Sequence, residues 1–119
     1  MATIKSHTDL EQSRKLSEIL PLETADFHFS ANQSPQGYLE KPIWGNPEYA
    51  DYNAFPCWSL AALLAVLSFP VLRYDIEDGE GGWIVGCEKN DKGYLSYYRD
   101  NPVDTCYEMI LKLHEQKLI

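Results

Sequence analysis

The thirteen residues F-P-C-W-S-L-A-A-L-L-A-V-L, Phe55 to Leu67, constrain the fold more than any other stretch of this chain. Ser59 is a good N-cap, and Leu60, Leu63, Leu64, Val66 and Leu67, spaced by alanines, ring the helix axis and leave no polar face. A helix over 59–68 of this kind must be covered on every side. The cover is either a sheet and a loop of the same chain or a second copy of it. The apolar run from Leu60 to Leu67 is far too short to cross a bilayer.

The residues beyond this helix supply a sheet. After Pro70, Leu72, Tyr74 and Ile76 alternate with Arg73 and Asp75, which is strand periodicity. The turn E-D-G-E-G-G leads to a second apolar stretch and N-D-K-G to a third, so strands are expected over 71–76, 83–88 and 94–99, joined as two hairpins. Glu77, Asp78 and Glu80 lack the ordered ligand spacing of a calcium loop and read as a solvated turn. D-N-P-V-D then sets Asn101 as N-cap, Pro102 at the first helical position and Asp104 at the positive end of the dipole. The spacing predicts a helix over 102–117, with Val103, Cys106, Tyr107, Ile110, Leu113 and His114 on its apolar face.

Upstream, T-D-L-E at Thr8 to Glu11 reads as a capping box opening a helix over 8–20, with Leu10, Leu16 and Leu20 on one stripe and Pro21 as its end. Between them, residues 22–56 show no lasting period and are punctuated by prolines and glycines; they read as mostly ordered loop, with one alternating stretch at Asp26 to Ser30. The expected fold is therefore α+β and a single domain over 1–119. It is a small three-stranded antiparallel meander with the C-terminal and central helices packed on it, preceded by an N-terminal helix and a long loop.

Charge and cysteine content narrow the function classes. A formal charge of -8 offers no excess of Lys and Arg to displace counterions from nucleic acid; it reads as a solvated acidic surface, with a basic protein partner or imitation of a nucleic-acid backbone as the alternatives. The amino terminus M-A-T-I-K-S-H-T lacks the pattern of an export signal, which points to the cytoplasm. Three scattered cysteines make neither a disulfide framework nor a zinc site, so no metal is expected. The chain has no GxSxG, GxxxxGK[ST] or GxGxxG, and no cofactor is expected either.

Cys57 poses the sharpest chemical question. A cysteine ahead of a helix feels the N-terminal dipole, and C-W here is similar to the cysteine and aromatic of papain-like peptidases. Phe55-Pro56 replaces the glycine-containing approach of that family, and His114 is the sole histidine downstream. Cys106, on the same helix as His114, is eight residues away, roughly 12 Å of axial rise, too far for direct proton transfer. The expectation is a buried thiol and no catalytic residue.

The aromatics remain. Trp44, Tyr49, Tyr52, Trp58 and Trp83 are the candidate contact residues, together with the apolar second helix and the exposed sheet face; core packing or anchoring of the long loop is the commoner role for each such aromatic. W-S-L-A-A-L-L at Trp58 to Leu64 and D-N-P-V-D-T-C-Y-E-M-I-L-K-L-H-E at Asp100 to Glu115 resemble a group of uncharacterised short proteins of gut bacteria and their phages or mobile elements. That resemblance covers the second half of the chain and implies an architecture and a phage or mobile-element origin, with no site to transfer. The expected function is a non-enzymatic protein-interaction module that binds an unknown protein partner or a second copy of itself, without direct nucleic-acid or membrane binding. The alternatives are a small-ligand-binding or hydrolytic domain closed by the long loop, and an acidic inhibitor of a nucleic-acid-binding protein.

Overall fold

The computed structural model describes residues 5–29, 31–34, 37–38, 42–47, 54–77, 80–99 and 101–119. They form two compact units, one of His7–Ala62 and one of Leu63–Ile119 joined by Lys5 and Ser6. The mixture of helices and antiparallel strands matches the expected class. The single meander does not hold, because a second three-stranded sheet is present.

In the first unit, helix α1 spans Leu10–Ser17. Its capping box sits one residue later than T-D-L-E suggests: Asp9 Oδ1 accepts from Gln12 N at 2.8 Å, and Gln12 Oε1 accepts from Asp9 N at 3.2 Å. Thr8 is unavailable as a cap because it is buried, its hydroxyl paired with Ser13 Oγ at 2.7 Å. Ser13, Leu16 and Leu20 face the interior.

Segment 22–56, expected to be mostly loop, opens with a 3-10 turn at Leu22–Thr24 and carries five short strands among its described residues. These are β1 (Phe27–Phe29), β2 (Ala31–Ser34), β3 (Gly37–Tyr38), β4 (Ile43–Trp44) and β5 (Phe55–Cys57). β1 lies between β4 and β5, antiparallel to both, while β2 pairs with β3 alone. Strands of two to four residues are too short to show alternation, and long-range pairing makes them.

Helix α2, Leu60–Val66, starts in the first unit and ends in the second. The cover expected on every side is incomplete: Ala62, Leu63 and Leu67 are buried, whereas Ala61 and Ala65 are exposed. Alanine makes that exposure inexpensive, since a methyl group removes little area from water.

In the second unit, β6 (Val71–Glu77), β7 (Glu80–Lys89) and β8 (Lys92–Arg99) form the antiparallel meander in the order β6-β7-β8. Asn90 and Asp91 turn β7 into β8, both with positive φ, at 53° and 64°. Helix α3, Pro102–Glu115, packs on β7 and β8. Asn101 Oδ1 accepts from Asp104 N at 2.8 Å, and Asp104 also pairs with Lys5 at 2.9 Å. Val103, Thr105, Cys106, Met109, Ile110 and Leu113 are buried. His114, expected on that apolar face, is exposed in the last turn, with Nδ1 3.3 Å from the Ile119 carbonyl oxygen. No helix among the described residues is long and apolar enough to cross a membrane.

Candidate interaction surface

Among the described residues of this unit, α3 packs on one face of the β6-β7-β8 sheet, and Val71 and Leu95 are exposed on the other. Register separates the two faces. Val85 and Cys87 of β7 are buried, and Cys87 lies near Cys106 of α3. Residues of opposite parity face away, so Val71, Gly86 and Leu95 make one row across the three strands. Glycine at 86 lets the row close up, because a Cβ there would come within 3.0 Å of Leu95 Cδ2. An open groove of about 410 Å³ lies at this end of the sheet, lined by Phe69, Val71, Gly86, Cys87, Glu88 and Leu95 among others.

Phe69 forms the lip of this groove. It is 80% exposed and has φ of 48°, the left-handed region, on the residue immediately before Pro70. That conformation costs a residue with a Cβ roughly 1–2 kcal/mol, and burial of the ring does not offset it here. The preceding residue is tied down, since Glu88 N donates to the Ser68 carbonyl at 2.9 Å.

Beside the groove runs β6, an edge strand among the described residues. It exposes Val71, Tyr74 and Ile76, the last at 71%, together with an Arg73–Asp75 pair at 3.2 Å. Tyr74 packs edge-on against Trp83, ring centroids 5.2 Å apart, and leans over Gly81, where a Cβ would overlap its hydroxyl. The G-G-W run of β7 thus makes room for a tyrosine of the neighbouring strand.

The candidate contact residues fare differently. Trp44, on the outer strand β4 of the first unit, is 73% exposed and stacks edge-on against Phe27. Trp83 is half-buried beneath Tyr74. Tyr49 and Tyr52 lie outside the described residues. Trp58 has to be corrected: it is 0% exposed and offers nothing to a partner. Helix α2, likewise read as contact surface, keeps its larger side chains buried or half-buried and exposes only alanines. Sequence reasoning named the sheet face as a whole and did not single out Phe69, Val71, Ile76 or Leu95. The signal for them was the phenylalanine directly before a proline and the apolar residues on both parities of β6.

Cys57 is a core thiol. It is fully buried, its Sγ 3.6 Å from Thr8 Oγ1 and donating to the Thr8 carbonyl at 3.4 Å. Burial pushes the thiol above its ordinary range, against the opposing pull of hydrogen bonds with Thr8 and Ser13. Burial also raises Cys87 and raises Cys106 to about 12, the latter with a further contribution from Cys87. All three are therefore protonated and shielded at neutral pH. A thiol reagent at neutral pH should label none of them in the folded protein over the time in which it labels all three in denaturant. Rapid labelling of Cys57 alone would contradict its place in the core.

The W-S dipeptide after Cys57 is explained by its neighbours. Trp58 Nε1 donates to Thr24 Oγ1 at 2.9 Å. Ser59 N donates to Asp26 Oδ1 at 2.9 Å, the Ser59 hydroxyl bonds Asp26 Oδ2, and Ala62 N donates to Ser59 Oγ at 3.1 Å. Asp26, just ahead of β1, thus holds the serine that caps α2. Comparisons of the chain with protein-family models, curated proteins and solved structures find no match.

Proposed function

We propose that this protein is a small protein-interaction module, of the kind carried by phages or mobile elements, which acts by contact and not by catalysis. Its contact surface is the side of the β6-β7-β8 sheet that bears Val71 and Leu95, together with the β6 edge. Phe69 carries the reading: a large aromatic held in solvent by a strained backbone, beside the exposed Val71 and Leu95. Exposed apolar patches around a strained residue gain nothing for the isolated fold and mark a surface that is covered in use.

Two measurements test this. Phe69→Gly relieves the left-handed strain and should leave stability in urea unchanged or raised by up to about 1 kcal/mol. A photo-crosslinking phenylalanine analogue at position 69 or 95, irradiated in bacterial cells, should give protein adducts well above those from position 115 on exposed Glu115 of α3. Equal yields at all three positions would overturn the reading. A groove of about 410 Å³ also falls in the size range of small-molecule sites, which supports a ligand as the second reading. A melting-temperature rise with an apolar compound, abolished by Gly86→Leu, would favour it.

A further inference from the structure

The partner for this surface is narrowed by the order of residues along β6, V-L-R-Y-D-I-E. Building on the reading of that edge as contact surface, we propose that β6 pairs antiparallel with β6 of a second copy. The two-fold axis passes through Tyr74, and Arg73 of each protomer faces Asp75 of its partner.

Two copies paired edge to edge are related by an axis normal to the sheet, which keeps like faces together and passes through one residue. Each choice of residue sets a different register. With the axis at Arg73, two arginines meet at the centre and Val71 faces Asp75. With the axis at Asp75, two aspartates meet. With the axis at Ile76, Asp75 faces Glu77, again like against like. With the axis at Leu72, Arg73 faces Val71 and the overlap shrinks to the first half of the strand.

Only the axis at Tyr74 overlaps all of Val71–Glu77. It sets Leu72 against Ile76 twice, Tyr74 against itself and Arg73 against Asp75 twice, and leaves Val71 against Glu77 only at the two ends. Directly opposed residues of unlike charge or of apolar character stabilise a strand pair, and like charges destabilise it. The charges are already in place for this exchange. Arg73 and Asp75 share one face, 3.2 Å apart, with side chains 62% and 45% exposed, so two copies bring together a square of alternating sign. The exposed Tyr74 and Ile76 gain cover in the same step, and the strand at the edge of the three described ones comes to the centre of a six-stranded sheet.

A charge exchange tests the register. Arg73→Asp makes an edge with two acids, and Asp75→Arg makes one with two bases. Sedimentation equilibrium of the wild-type protein at high micromolar concentration should show a dimer. Each single variant, checked for folding by circular dichroism, should associate roughly tenfold or more weakly. Mixing the two variants should restore a dimer containing one of each, since every opposed pair is again of unlike charge.

A monomeric wild type overturns the proposal, as do single variants that dimerise like the wild type or a mixture that stays monomeric. Should a charge variant fail to fold, Tyr74→Cys decides: under mild oxidation it should form a disulfide-linked dimer, whereas Glu115→Cys should not. The native cysteines are buried and do not confuse the result. Equal disulfide yields at 74 and 115 would overturn the pairing. Adducts to other proteins from positions 69 and 95 with a monomeric wild type would remove the self-pairing and leave the interaction reading standing.

Discussion

Replacing Trp58 by alanine is expected to remove about 3–5 kcal/mol of stability, enough to unfold much of the protein at room temperature. The side chain is 0% exposed, and its removal leaves a large cavity as well as losing transfer energy. Its indole N–H also donates to Thr24 Oγ1 at 2.9 Å, so the 3-10 turn loses its tie to the start of α2. The backbone on either side is already committed, with Trp58 N donating to Thr8 Oγ1 at 3.2 Å and Thr8 N to the Trp58 carbonyl at 2.9 Å. Trp58→Phe keeps most of the packing and gives up the indole bond, so it should cost roughly 1–2 kcal/mol. Urea midpoints of the two variants against wild type make the measurement. A contact residue would behave in the opposite way, with association weakened and the midpoint unmoved.

The second large effect is loss of stability at high pH through Cys106. The folded thiol keeps its proton up to about pH 12, whereas an exposed thiol loses it near 9.0. Between those values the folded state binds more protons than the unfolded state, so stability falls as pH rises. The contribution is fully present below pH 9.0 and is lost progressively toward pH 12. Its full size is on the order of 4 kcal/mol, from three pKa steps at about 1.4 kcal/mol each. Cys57 and Cys87 are shifted in the same direction and add to the slope. The measurement is a comparison: Cys106→Ala should show a shallower fall of unfolding free energy with pH than wild type. Parallel curves would show that the Cys106 proton is not what the folded state retains.

The start of α3 and the meander were legible because each is announced locally, whereas the three helices end earlier than expected, at Ser17, Val66 and Glu115 in place of 20, 68 and 117. Asn101-Pro102 and Asp104 satisfy the first turn of α3 from within five residues, and the prediction of a start at 102 agrees with the observed Pro102. The strands expected at 71–76, 83–88 and 94–99 run longer, as Val71–Glu77, Glu80–Lys89 and Lys92–Arg99, because pairing extends through the glycines of the turn, which alternation alone does not count. The capping box slipped by one residue for a nonlocal reason. Thr8 and Asp9 are both competent caps, and burial of Thr8 against Ser13 and Cys57 decides between them.

The candidate site was legible only in part. That Trp58 is core and Trp44 is exposed cannot be told from residue type, since both tryptophans follow an apolar residue and precede a small one, in Cys57-Trp58-Ser59 and Ile43-Trp44-Gly45. Phe69 is conspicuous only when its φ of 48° is seen beside its exposure.

By itself, the order of residues determined the cap of α3, the three long strands and the acidic charge, because each depends on residue types or on groups within a few positions of one another. It also carried the Arg73–Tyr74–Asp75 pattern, symmetric about its centre. Tertiary structure alone decided that the described residues between Leu22 and Cys57 carry five short strands, which side chains of α2 stay covered, and that β6 is an edge strand among the described residues. Those outcomes depend on burial and strand pairing between residues far apart in sequence, and such free energies exist only once the chain has closed on itself.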